Sequence, residues 1–113
     1  MVVGAKSLDR TLAALADPSR RALIELLRER PRAAGELARN LGLPPPVMSR
    51  HLRTLRESGL VEESHPAFDA RVRVYALKSG ATTDLIHWLE QAEALWSDQL
   101  VALKRHVEDS AAP

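Results

Sequence analysis

The chain has 113 residues, of which 45% are hydrophobic, so it can bury one modest core but not two. It has no cysteine, which excludes disulfides and thiolate metal ligands, and no apolar run near the roughly 20 residues needed to cross a bilayer. The N-terminus also lacks a signal-like apolar core. We therefore expect a single domain over residues 1–113, in a soluble cytoplasmic protein.

The net charge of +1 hides an uneven distribution of charged residues. Residues 1–61 hold eleven Lys/Arg and six Asp/Glu, whereas residues 62–113 hold five and nine. Between Glu36 and Glu57 there are four arginines and no acid. A basic surface confined to one part of the chain is what DNA binding through one element requires.

The N-terminal part of the chain predicts two helices. Residues 1–6 carry no strong signal and are expected to be frayed, and a first helix over residues 7–16 would use its leading serine as the cap. Asp17 is a good N-cap and Pro18 a good first helical residue, so a second helix is predicted from there to about Arg30.

Residues 33–58 have the pattern of two short helices joined by a tight turn at Gly42. The prolines at 44–46 favour entry into the second of these helices, and Gly59 marks its exit. The first helix of the pair repeats apolar residues with helical spacing: Leu37, Ala38 and Leu41. Helix, glycine turn and basic helix together predict a helix-turn-helix.

The second helix of this pair has one apolar and one basic face. At 100° per residue, with Met48 at zero, Leu52 falls at about 40° and Leu55 at about −20°. Positions between about 140° and 240° are held by Arg50, Arg53 and Thr54. The apolar and basic residues therefore occupy opposite faces, so that one face can pack on the core while the other meets a ligand.

A β-hairpin, which we call the wing, is predicted over residues 60–78. Its strands are expected at Val61–His65 and Arg71–Leu77, where β-branched and aromatic residues alternate, with a turn-rich tip at residues 66–70. The pattern leaves open which face of the second strand is buried, because two apolar pairs lie on opposite sides: Val72 with Val74, and Tyr75 with Leu77.

A long last helix is predicted over about residues 82–108, capped by Thr82 or Thr83. It carries a broad apolar stripe close to a heptad seam, which favours a homodimer interface shared with the first helix. The predicted interface residues are Leu8, Leu12, Leu85, Trp88, Leu89, Ala92, Trp96, Leu100 and Leu103. A ligand pocket lined by the two tryptophans is the alternative.

Several motifs resemble the ArsR-type winged helix-turn-helix repressors. They are Asp17-Pro18-Ser19-Arg20-Arg21, Ser49-Arg50-His51-Leu52, and Gly59-Leu60-Val61 at fixed spacing. The resemblance covers nearly the whole chain. It implies a mainly α fold with a small β-hairpin wing and about five helices. It also implies a dimeric repressor that binds double-stranded DNA, with the second helix of the helix-turn-helix in the major groove and the wing beside it.

The candidate DNA-binding residues follow from this resemblance and from the basic face. Arginine suits guanine O6 and N7 in the major groove, and arginines on a wing suit phosphate or the minor groove. The candidates are Pro45, Val47, Ser49, Arg50, His51, Arg53, Thr54, Arg71 and Arg73. Pro44 departs from the family, which usually has a Ser or Thr cap there, and the proline triplet removes backbone N–H groups that commonly hold phosphate. A winged-helix module that binds a protein and never DNA is the alternative function.

No metal, cofactor or catalytic site is predicted. Asp84 and His87 lie one turn apart, but His106 and Glu108 are more than five turns further on, so no complete ligand set forms on one helix. There is no nucleophile beside a base in a recognisable motif and no Gly-rich phosphate loop, so we do not expect an enzyme. An unknown small-molecule effector remains open.

Overall fold

A computed structural model describes residues 4–111 and contains five helices and three short strands in that range. Residues 4–82 form one compact unit, and the last helix is a second unit. The helices are α1 (Gly4–Leu15), α2 (Pro18–Glu29), α3 (Ala34–Leu41), α4 (Pro45–Glu57) and α5 (Thr83–Ala111). The strands are β1 (Arg32–Ala33), β2 (Val61–Ser64) and β3 (Val74–Leu77). This is the predicted fold class, mainly α with a β-hairpin wing.

Helix α1 begins earlier than predicted. It starts at Gly4, so Ser7 lies inside the helix and does not cap it, and the expectation of fraying is wrong for residues 4–6. The remainder of that expectation, residues 1–3, lies outside the described residues. No proline interrupts the chain before Ser7, and each residue added to an existing helix gains one backbone hydrogen bond.

Helix α2 has the predicted cap. The Asp17 carboxylate accepts hydrogen bonds from the backbone N–H groups of Ser19, at 2.8 Å, and Arg20, at 3.2 Å. The Arg20 N–H is the main reason that the pKa of Asp17 is lowered. Arg30 adopts an extended conformation at the end of the helix because the next residue is proline. Both predicted ends of α2 are therefore confirmed to within a residue.

The turn between α3 and α4 is made by Gly42, which has a left-handed conformation with φ +64°. Its N–H donates to the carbonyl of Arg39 at 3.3 Å, and the N–H of Leu43 donates to that of Ala38 at 3.1 Å. These bonds satisfy carbonyl groups that the helix end leaves unpaired. Helix α4 then begins at Pro45, where a missing N–H costs nothing.

The sheet differs from the predicted hairpin in two ways. Strand order is β1-β3-β2, all antiparallel, and β1 was not predicted because two residues carry no periodic signal. The second wing strand begins at Val74, so the expected strand over residues 71–73 is wrong. The chain turns there because the N–H of Val72 donates to the carbonyl of Asp69 at 3.2 Å.

One core unites α1 to α4 and the sheet. Tyr75 is buried whereas Val74, on the opposite side of β3, is half-buried, so the tyrosine side faces the core. Leu77 lies on the tyrosine side at the end of the strand and is 37% exposed. The buried hydrophobic residues are Ala14, Leu23, Leu27, Leu37, Ala38, Met48, Leu52, Leu55, Leu60, Val61 and Tyr75. Within residues 4–111, no helix is both long enough and apolar enough to cross a membrane.

The left-handed conformation of Gly42 allows us to predict the effect of an alanine at that position. A Cβ there would meet open space, so the cost is backbone strain alone, and we expect Gly42→Ala to lower the free energy of unfolding by about 1 kcal/mol. Gly35→Ala is the matched control, because that glycine lies in α3 and an added Cβ would meet only the flexible end of Arg39 at 3.4 Å. The control should be neutral or stabilising by about 0.5 kcal/mol in urea unfolding. Equal losses in both variants would contradict this explanation.

Candidate nucleic-acid interface

Helix α4 is fixed by its inner face and free on its outer face. Met48, Leu52 and Leu55 are buried in the core. Arg50 and Arg53 are exposed, and among the described residues neither forms an ion pair. Both guanidinium groups are therefore available to an external acceptor.

One side of α4 faces the wing. The guanidinium of Arg73 lies 3.4 Å from the Ser49 hydroxyl oxygen and donates toward it. Arg56 forms a 2.9 Å ion pair with Glu63 on β2. The structure thus brings the two predicted candidates Ser49 and Arg73 together, and it uses Arg56 to hold the wing.

The opposite side of α4 faces α1 and α2. The Nδ1 atom of His51 lies 3.4 Å from the guanidinium of Arg20, which can only donate, so this nitrogen accepts. Thr54 lines an open groove together with Arg10 and Arg20. His51 and Thr54 therefore lie on the flank of α4 that faces α1 and α2, next to the exposed face that carries Arg50 and Arg53.

An apolar groove separates α4 from α3 beside the wing. Pro45 is exposed on its rim, while Val47 is half-buried elsewhere on the first turn of α4. Arg39 of α3 also lines this groove, together with Ser49 and Arg73. Arg39 is exposed and unpaired among the described residues, so it joins the candidate surface. The signal for it was the run of four arginines without an acid.

The wing is held to α4 through the half-buried carboxylate of Glu63 on β2. This carboxylate accepts a 2.6 Å hydrogen bond from the Tyr75 hydroxyl and pairs with Arg56, and His65 Nε2 lies 3.3 Å away. The Tyr75 hydrogen bond, followed by Arg56 and Arg73, lowers the pKa of Glu63. Burial and the bond to Glu63 raise the pKa of Tyr75 to about 12. Glu63 therefore stays ionised and joins α4 to both wing strands.

The tip of the wing is a pair of turns. The Asp69 carboxylate accepts from the backbone N–H of Arg71 at 3.0 Å and from its Nε at 3.2 Å. The Arg71 side chain is nevertheless 93% exposed, so its remaining N–H groups face solvent. Arg71 and Arg73 thus occupy different places: Arg71 at the tip and Arg73 against α4.

Helix α5 is apolar along one stripe but buries no residue. Leu85 and Ala92 are half-buried, and the other predicted interface residues of α5 are exposed. Their exposed fractions are Trp88 43%, Leu89 48%, Trp96 64%, Leu100 67% and Leu103 58%. On α1, Leu12 is 43% exposed and Leu8 is half-buried. In residues 4–111, no three histidine or carboxylate side chains come together as a metal site.

The Glu63 network predicts a pH-dependent effect of Tyr75→Phe. At neutral pH the free energy of unfolding of the variant should be about 1.5 kcal/mol lower than that of the parent, because a hydrogen bond to a charged group is lost. The lowered pKa of Glu63 means that this stabilisation is present above the unfolded value of about 4.3 and is lost as pH falls through the folded value. The difference between parent and variant should therefore be full above about pH 4.3 and narrow as the pH falls below that value.

Urea unfolding at several pH values measures this difference. Glu62→Gln, at an exposed carboxylate on the same strand, is the control and should change little. A Tyr75→Phe deficit that stays constant as the pH falls below about 4.3 would show that the network does not depend on the charge of Glu63.

Comparison with known proteins supports the assignment of a helix-turn-helix to this chain. The chain matches the model of a helix-turn-helix domain over residues 15–64. It is 46% identical over 67 residues to the HTH-type transcriptional regulator Rv2034 of Mycobacterium tuberculosis, covering 59% of this chain and 62% of that protein. It is 26% identical over 76 residues to the transcriptional repressor SdpR of Bacillus subtilis, covering 67% of this chain and 81% of that protein.

Two solved structures extend the likeness to most of the chain. The ArsR-like transcriptional regulator from Rhodococcus sp. RHA1 has a TM-score of 0.80 at 28% identity, covering 96% of this chain and 98% of that one. The ArsR family transcriptional regulator RHA00566 has a TM-score of 0.75 at 30% identity, covering 86% of this chain and 97% of that one. With its helix-turn-helix, wing and basic α4 face, the chain belongs to the ArsR family of winged helix-turn-helix transcriptional regulators.

Proposed function

We propose that the protein binds double-stranded DNA as a homodimer and represses transcription from an inverted-repeat operator. The observation that carries the proposal is the pair of exposed, unpaired arginines on α4, Arg50 and Arg53, beside a wing that is held to the same helix. Repression is supported by the likeness to SdpR, which is a transcriptional repressor. A regulator of this kind acts where the operator lies, so we propose a cytoplasmic location.

Helix α4 has dimensions that suit the major groove. A helix with its side chains is about 10–12 Å across, and the groove is about 12 Å wide. Arg50 and Arg53 are three residues apart, so they are separated by about 4.5 Å along the helix, slightly more than the ~3.4 Å between base pairs. The two guanidinium groups can therefore contact neighbouring base pairs, with guanine as the preferred acceptor.

The other candidates take supporting roles in this proposal. Ser49 is steadied by Arg73 and contacts a base or a phosphate, while Arg39 and Arg71 contact phosphates on either side of the groove. The proline triplet at the start of α4 offers no N–H groups there, so side chains supply the phosphate contacts at that end.

A homodimer accounts for the apolar stripe on α5. Its two tryptophans and neighbouring leucines are exposed in the single chain, and soluble monomers rarely expose so large an apolar patch. A two-fold dimer through α5 and α1 would present α4 twice. The operator would then be an inverted repeat with half-sites one or two helical turns apart, about 10 or 20 base pairs. We propose that residues 1–113 act as one DNA-binding unit flanked by these dimerisation helices.

The first test replaces the α4 arginines. Arg50→Ala and Arg53→Ala should each cost about 1–3 kcal/mol of specific binding and relax base preference at one position per half-site. Operator fragments recovered from the genome by the parent protein serve as probes, and anisotropy titrations give the affinities. Arg28→Ala, at an exposed arginine of α2, is the control and should bind normally.

Arg71→Ala should behave differently from the α4 variants. A phosphate contact supports all sequences alike, so this variant should weaken specific and non-specific binding together and lower the salt slope by about one. An Arg50→Ala, Arg53→Ala double variant that stays folded and as selective as the parent would contradict the role of α4. It would favour the winged-helix module that binds a protein.

The second test concerns the dimer. Light scattering should give about twice the 12.5 kDa mass of the chain at micromolar concentration. Trp96→Glu places a charge within the α5 stripe and should yield monomers, whereas Gln91→Glu adds the same charge off the stripe and should leave the dimer intact. A parent particle of single-chain mass would contradict the proposed homodimer.

A further inference from the structure

We infer that Phe68, at the tip of the wing, is a wedge that enters the minor groove beside the segment bound by α4 and partly unstacks a base-pair step. The inference rests on the proposed DNA binding and adds a contact that distorts the DNA. Four observations support it: the exposure of the ring, the turns that present it, the charge beside it, and the attachment of the wing to α4.

Phe68 is the single phenylalanine of the chain, and 88% of it is exposed. A phenylalanine side chain stabilises a fold when it is buried away from water, so a ring this exposed contributes nothing to the core. Leu77, at the other end of the hairpin, is 37% exposed by comparison. Phe68 is therefore far more exposed than the apolar residue at the other end of the hairpin.

Two consecutive turns place the ring at an outer corner. The N–H of Asp69 donates to the carbonyl of Pro66 at 3.2 Å, which closes a four-residue turn with Phe68 at its third position. The N–H of Val72 then donates to the carbonyl of Asp69, also at 3.2 Å. The backbone on both sides of Phe68 is thus hydrogen-bonded, so the ring is presented by an ordered loop.

The charges at the tip suit a phosphate-lined groove. Asp69 would repel phosphate, but its Oδ1 atom accepts from the backbone N–H and the Nε of Arg71, and the positive charge of Arg71 offsets the negative charge of the carboxylate. The rest of the Arg71 guanidinium is exposed, three residues after Phe68 in the same tip. A cation beside an apolar wedge is the combination that minor-groove proteins use, with the cation on the narrow groove and the wedge between base pairs.

The wing is attached to the helix that we place in the major groove. Arg56 pairs with Glu63 at 2.9 Å, and Arg73 reaches Ser49 at 3.4 Å. When α4 lies in the major groove, these contacts keep the wing beside it, and we place the tip at the adjoining minor groove. The strands β2 and β3 have four residues each, so the tip stands about 13 Å beyond the base of the wing.

The size of the apolar surface favours DNA over a protein partner. A phenylalanine side chain offers at most about 150–250 Å², whereas a stable protein interface needs about 800 Å² on each side. The minor groove is only about 6 Å wide, so a single ring is sufficient there. Pyrimidine–purine steps such as TA and CA/TG unstack most readily, so we expect one at the wedge position of each half-site.

The experiment uses a duplex that the parent protein selects from a random-sequence pool. The duplex is labelled at both ends for energy transfer and carries 2-aminopurine beside the flexible step. Binding of the parent should bend the duplex and raise the 2-aminopurine fluorescence, which reports unstacking. Phe68→Ala should remove the fluorescence rise, reduce the bend and weaken binding about tenfold, with an unchanged salt slope.

Three controls separate the wedge from general damage. Phe68→Leu keeps an apolar side chain and should retain part of the bend, and Leu77→Ala should behave as the parent. Arg71→Ala should lower the salt slope and leave the fluorescence rise in place. Replacing the flexible step by a stiff A-tract should weaken the parent but not Phe68→Ala, because only the parent deforms that step.

Two outcomes would overturn the inference. If Phe68→Ala binds, bends and unstacks the duplex as the parent does, the inference that Phe68 is a wedge is wrong, while the proposed function stands. The exposed ring would then be assigned to a contact with a protein. If the parent selects no duplex at all, the proposed function fails and the wedge fails with it. Thermal unfolding of Phe68→Ala should match the parent, since the ring makes no core contact.

Discussion

The burial of one face of α4 is the constraint on which the rest of the structure depends. Met48, Leu52 and Leu55 enter the core, and a helix that buries three residues on one face has no freedom to rotate. The opposite face, with Arg50 and Arg53, is then necessarily turned to solvent. The left-handed conformation of Gly42 sets the angle at which α4 follows α3.

The two flanks of α4 are held by different kinds of contact. On the wing side, the ionised carboxylate of Glu63 joins Arg56 of the helix to Tyr75 of β3, so the position of the wing depends on a charge. On the α2 side, Arg20 spans the end of α1 and the ring of His51, with its Nε donating to the Ala14 carbonyl at 2.7 Å. On α4 itself, Arg50 and Arg53 lie between these flanks and are left for an external partner.

Helix α5 differs from α2, α3 and α4 in that burial in the core does not stabilise it. Its 29 residues bury no side chain within the single chain, and its apolar stripe is long enough to cover a second helix of the same kind. In the proposed dimer, association would remove this stripe from water, so the stability of α5 would depend on protein concentration in a way that the stability of the compact first unit would not. This separates the role of α5 from that of residues 4–82, which have their own core.

The sequence by itself determined the features that depend on neighbouring residues. The Asp17 cap, the glycine turn at Gly42, the proline entry to α4 and the two faces of that helix are local effects of backbone geometry and periodicity. The start of α1 was missed because helices extend wherever nothing stops them. Only the tertiary structure decided the pairing of β1 with β3 and the exposure of Phe68. It also decided that the side chains of His51 and Thr54 lie toward α1 and α2. These features depend on contacts between distant segments, which a one-dimensional pattern does not encode.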